Sequence, residues 1–137
     1  MSLFNVFDVA GSALHAQSIR LNTTSSNLAN ANSASSSTGE TYRARHPVFS
    51  AMLTDVDEKG PNVGVRVLGI VESARPLRRE HNPDHPLADE EGFIFLPNVN
   101  VVEEMANMIS ASRAYQTNVE VMNSAKQMML RTLSIGQ

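Results

Sequence analysis

Apolar residues recur at helical spacing near both ends of the chain and alternate in strand-like fashion between them. Towards the C-terminus, Val101, Met108, Tyr115, Met122 and Met129 fall every seven residues. Met105, Ser112, Val119, Lys126 and Leu133 form a companion row four residues on. Val102, Ile109 and Leu130 widen this a/d stripe, which persists for about four heptads. Asn100 followed by Glu103 has the form of a capping box, just after a stop at Pro97. The spacing predicts a helix from about Asn100 to Leu133, roughly 50 Å long. Gly136 is placed to end it.

At the N-terminus, Phe7, Leu14, Leu21 and Leu28 repeat at the same interval, with Ala10, Ala13 and Ile19 near their face. They predict a second, thinner amphipathic helix reaching about Ala31, followed by a serine-rich linker from Asn32 to Ser37. Gly11 inside that helix costs ~1 kcal/mol relative to alanine. In the middle, "TYRARHPVF" and "VGVRVLGIVES" alternate in part and are rich in β-branched residues, and "GFIFLP" reads as a short last strand. "DEKGPN", from Asp57 to Asn62, is a turn signal, and "HNPDHP" excludes regular structure around Pro83 and Pro86. The fold class is therefore α+β. It divides into an N-terminal helix (1–31), a linker and β-rich middle (32–98), and a C-terminal helix (99–137).

Charge sharpens the division. Residues 1–36 carry only Asp8 and Arg20, and the last segment only Glu103, Glu104, Arg113, Glu120, Lys126 and Arg131. Most ionised side chains lie between, notably in "RPLRREHNPDHPLADEE". Helix faces meant for bulk water normally carry abundant charge, whereas these backs are built of Ser, Asn, Thr and Gln. Neutral polar groups meet another protein surface without the desolvation cost of charge, so this is the composition of a filament subunit. Aromatics make up 5% of residues, and seven methionines supply adaptable apolar contacts instead.

Several chemistries are excluded or disfavoured. With no cysteine there are no disulfides and no thiolate sites. No apolar run approaches the ~20 residues that span a bilayer. The N-terminus lacks a basic n-region and a continuous apolar core, so no cleaved secretory signal is expected. A net charge of −3 and a basic "RPLRRE" without interleaved aromatics argue against nucleic acid. No phosphate-binding glycine loop or nucleophile elbow occurs, and no cofactor or small-molecule substrate is implied. Asn22-Thr23-Thr24 is a formal glycosylation sequon on a helix. The best catalytic-looking patch is His81, Asp84 and His85 with the acids Asp89, Glu90 and Glu91. Two histidines at i and i+4 bind metal from one helical face, but Pro83 lies between these and makes a solvated loop the better reading. The competing functions are a soluble coiled-coil adaptor or chaperone, and a small metal-dependent hydrolase using His81 and His85.

Both arms carry a family resemblance. "GSALHAQSIRLNTTSSNLANANS" and "LPNVNVVEEMANMISASRAYQTNVEVMNSAKQMMLRTLSIGQ" resemble the terminal helices of bacterial flagellar rod and hook proteins. "TYRARHPVF", "HPLADEEGFIFLPNVNVVEEM", "LSIGQ" and the short length resemble the proximal rod members most. The resemblance implies a non-enzymatic rod subunit exported without a cleaved signal and assembled helically in the periplasm. Its terminal helices would pair as an antiparallel coiled coil in an inner tube, with a β-rich outer domain. Its partners would be copies of itself, other rod proteins, and the membrane-ring and export-gate or adaptor proteins. Carried onto this chain, the first helix would present Leu14, Leu21, Asn27, Leu28 and Asn30, beside Phe7 of the heptad row. The last would present Val102, Met105, Ile109, Tyr115, Met122, Met129 and Leu133.

Overall fold

The computed structural model describes residues 3–54 and 62–135. Most of the expected turn at Asp57–Asn62, and Gly136, lie outside them. Two long helices bracket a small β-rich middle: α1 (Leu3–Ala29), β1 (Arg45–Thr54), β2 (Asn62–Glu72), β3 (Arg78–His81), β4 (Phe93–Leu96) and α2 (Val101–Ile135).

α2 begins where Asn100 Oδ1 accepts from the amides of Val102 (3.1 Å) and Glu103 (3.4 Å), satisfying two donors of the first turn. The other half of the expected capping box goes elsewhere, since the Glu103 carboxylate pairs with Arg75 at 3.5 Å. α1 ends without glycine. Asn30 Nδ2 donates to the Ser26 carbonyl at 2.8 Å, and the amides of Ala31 and Ser33 close successive short turns.

The helices pack on each other, and among the described helices and strands α2 packs on α1 alone. Arg20 donates to Asn107 Oδ1 (2.9 Å) and Asn27 to Glu104 Oε2 (3.1 Å), so advancing along α1 means retreating along α2 and the helices run in opposite directions. The buried positions of both helices are mostly small. They are Ala10, Ala16, Thr23, Thr24 and Asn27 on α1, which also packs on the strands, and Glu104, Ala111 and Ala125 on α2, whose buried line faces α1. Small side chains let the helix axes approach closely, and they leave larger apolar residues on the flanks.

β1 and β2 form an antiparallel ribbon along the other side of α1. Val48 pairs with Gly69 and Phe49 with Val67, so Leu68 is an extra residue in a bulge. Near one end of the ribbon, Ser12 Oγ accepts from the Val65 amide (3.1 Å) and donates to the Val9 carbonyl (2.8 Å). Gly64 permits this approach, because a Cβ there would stand 3.1 Å from Ser12 Oγ.

β3 and β4 form a second antiparallel pair, and Ser35 bridges to the free side of Phe95. The supposed linker is therefore held at both its amide and carbonyl, each at 3.0 Å from Phe95. β3 corrects the sequence reading, which took "RREH" for part of a basic cluster and loop. Its side chains are all exposed and give no alternation; pairing with the apolar β4 is what makes it a strand. Ala31, Ala44 and Val99 form a small core with Tyr42 packed on it, beside the fully buried Pro97.

Candidate functional site

Among the described residues, the densest side-chain hydrogen bonding is at Asn27, where α1, the lead into β1 and the start of α2 converge. The carboxamide is wholly buried. Its Oδ1 accepts from the Tyr42 hydroxyl (2.8 Å) and the Arg45 amide (2.9 Å). Its Nδ2 donates to the Arg45 carbonyl (2.8 Å) and Glu104 Oε2 (3.1 Å). All four hydrogen-bonding positions of the amide are used, as burial of so polar a group requires. Burial raises the Tyr42 hydroxyl above its ordinary pKa; Arg45 opposes this, and Glu104 and Glu72 reinforce it. The four bonds leave the Asn27 carboxamide no free donor or acceptor, so it serves to tie the three segments together.

Beside it, Asn98 performs a similar task from the approach to α2. Its Oδ1 accepts from the Ala44 amide (2.8 Å), while its Nδ2 donates to the carbonyls of Ser73 (3.3 Å) and Arg75 (2.7 Å). Sequence reading missed Asn98, Tyr42 and Glu104. Glu104 did carry a signal, because Glu104, Ala111, Asn118 and Ala125 fall every seven residues and form the line of α2 that faces α1.

The residues expected in helix packing and assembly separate into three groups. Asn27 is buried, and Asn30 caps α1. Phe7, Leu14, Leu21, Leu28, Met122 and Met129 are half-buried on the flanks of the seam. Val102 (76% exposed), Met105, Ile109 (54%), Tyr115 and Leu133 (69%) lie open on α2. Of the row from Met105 to Leu133, Ser112 and Val119 are half-buried while Met105, Lys126 and Leu133 are exposed; the most buried line of α2 is that from Glu104 to Ala125. A second apolar surface lies on the ribbon, where the paired residues Phe49–Val67, Ala51–Val65 and Leu53–Val63 share one face. Phe49, Leu53, Val63 and Val65 of that face are exposed.

The histidine-bearing loop is organised for its own shape. His81 meets the Phe93 ring edge-on at 4.9 Å between centroids, and His85 Nδ1 accepts from the Leu87 amide at 3.1 Å. Asp89 Oδ1 accepts from the amides of Glu91 (3.0 Å) and Phe93 (2.8 Å). Arg79 lies 3.7 Å over the Phe93 ring while pairing with Glu91 at 2.7 Å. Among the described residues no three His, Asp or Glu side chains converge as metal ligands. No described helix is long and apolar enough to cross a membrane.

Comparison with known proteins follows the same division into arms. Residues 7–34 match the family model described as flagella basal body rod protein. Residues 90–135 match that of the flagellar basal body rod FlgEFG protein C-terminal region. Over its full 137 residues the chain is 51% identical to the flagellar basal-body rod protein FlgC of Yersinia enterocolitica, which it also covers completely. The chain belongs to the FlgC family of flagellar basal-body rod proteins. The FlgC protein of Salmonella typhimurium is 50% identical over 137 residues with both chains wholly covered. That of Borreliella burgdorferi is 38% identical over 151, covering all of this chain and 99% of its own. FlgC proteins are structural rod components, so membership places this chain outside the enzymes. It also leaves the histidine loop without a catalytic task.

Proposed function

We propose that this chain is a structural subunit of the proximal rod of the bacterial flagellar basal body, polymerising helically and transmitting torque between the membrane ring and the distal rod. Full-length identity to FlgC proteins supports the rod reading. The observation that carries polymerisation is the apolar face of α2, where Val102, Met105, Ile109, Leu130 and Leu133 are open to solvent in the isolated chain. In this reading α1 and α2 pair as an antiparallel coiled coil of the inner tube, and neighbouring copies cover the exposed stripe. The β-rich middle lies outside them. The partners are copies of this chain, other rod proteins, and the membrane-ring and export-gate or adaptor proteins. The chain reaches the periplasmic rod without a cleaved signal peptide.

The experiment is to delete the gene in its own bacterium, complement it with the intact chain, and image purified basal bodies. Rods absent on deletion and restored on complementation are expected. Complete rods in the deletion strain would refute the proposal.

A further inference from the structure

The α1–α2 seam has a weakness as a specification. Its buried positions on α2 are mostly small and repeat every seven residues, and the flanking row Met108, Tyr115, Met122 and Met129 repeats in step. Sliding α2 along α1 by one heptad, about 10 Å, would set alanine and methionine layers against much the same surface. Hydrophobic burial alone therefore distinguishes the registers poorly. Arg20, which donates to Asn107 at 2.9 Å, breaks the repeat from the partly exposed flank, and two carboxamides break it at the buried junction. Asn27, from α1, holds the Arg45 amide and carbonyl and reaches Glu104 on α2. Asn98, three residues before α2, holds the preceding amide, that of Ala44, and the carbonyls of Ser73 and Arg75 after β2. Consecutive amides at the entrance of β1 are thus gripped from both helices' sides.

We propose that Asn27 and Asn98 form a clasp on the Ala44 and Arg45 amides that fixes the axial register of α2 against α1 and the β1–β2 ribbon. The two asparagines are positioning residues. A slip of one heptad that brings Ala111 to the place of Glu104 would leave Asn27 buried with no side-chain acceptor on α2, and Glu104 would lose its donor. The mismatch discriminates against slippage in a way that alanine layers cannot. The inference stands on the fold alone and does not depend on the assembly reading. Its consequence for any polymer is that the apolar stripe of α2 and the apolar face of the ribbon keep a constant offset.

Because the chain has no cysteine, the test can use nitroxide labels on Asn22→Cys and Gln127→Cys, both exposed and clear of the seam. Gln127 lies about 20 residues, or ~30 Å along the axis, beyond Asn107, which meets Arg20. Pulsed electron-resonance distances on the full chain should give one population in the parent. Asn27→Leu and Asn98→Leu should each add a second population displaced by about 10 Å, while Glu104→Gln, which keeps an acceptor for Asn27, should not. If Asn27→Leu does not fold, Glu104→Leu, which removes only the arm to α2, replaces it with the same expectation. A single parental distance in every folded clasp variant, or several distances in the parent itself, would overturn the proposal.

Discussion

Asn27 of α1 donates to Glu104 of α2 at 3.1 Å in a place where neither side chain meets appreciable solvent. Both residue types ordinarily face water. Their burial is sustainable because Asn27 is satisfied on all sides by Tyr42, the Arg45 backbone and Glu104. Replacing Asn27 by alanine strands those partners, and a loss of about 3 kcal/mol or more of folding stability is expected. Glu104→Gln retains an acceptor and should lose no more than about 1 kcal/mol. Urea denaturation of the two variants measures the difference, and equal midpoints would contradict this account of the junction.

Tyr42 gives the junction an alkaline limit. Burial raises the hydroxyl's pKa in the folded chain, so the folded state retains its proton at a pH where the unfolded chain has released it. Stability is unaffected well below the unfolded value of about 10 and falls as pH rises from there through the folded value. Tyr42→Phe loses the 2.8 Å bond to Asn27 at all pH but should remove this share of the decline. Melting temperatures from pH 8 to 11 should therefore converge between parent and variant at the alkaline end. Parallel curves would count against the assignment.

Two glycines have separate roles. Gly92 has φ 79°, and a Cβ there would stand 3.1 Å from Pro83 Cβ and 3.3 Å from His81 Nε2. Gly92→Ala should destabilise the β3–β4 unit by about 1–3 kcal/mol. Gly64→Ala instead presses on Ser12 Oγ and should release the Val65 amide from it, by about 1 kcal/mol. Amide exchange would distinguish them, with protection lost near Phe93 in the first variant and at Val65 in the second.

The long helices were legible because heptad repeats survive any choice of partner, and α2 spans Val101–Ile135 against an expectation of about Asn100 to Leu133. The facing line of α2 was not legible. Reading by hydrophobicity selects Met, Tyr and Leu, whereas the seam selects small residues, and Ala111 or Ala125 contribute little apolar area to any such stripe. Glu104 lies on that same heptad line, but a charged residue is ordinarily read as solvent-facing, and its burial rests on Asn27, a long-range partner. β3 was hidden because "RREH" has no apolar face and takes its conformation from β4. The apolar stripe of Val102, Met105 and Ile109 was visible in the sequence, and its exposure was not.

The histidines supply a discriminating test of the minor reading. His81→Ala/His85→Ala should weaken the loop through loss of the Phe93 contact and of the acceptor for the Leu87 amide, by about 1–2 kcal/mol in all. Swimming should persist near the parental rate. Loss of motility with an intact fold, together with stoichiometric metal in the parent, would restore the hydrolase.

The central claim is that the open apolar face of α2 is completed by neighbouring subunits. Ile109→Asp tests it most directly, because the side chain is 54% exposed and a charge there should change the stability of the isolated chain by no more than about 0.5 kcal/mol. With circular dichroism showing an unchanged fold, electron microscopy of basal bodies from cells carrying only this variant should show rods missing or truncated. Rods of normal length and number would contradict the claim.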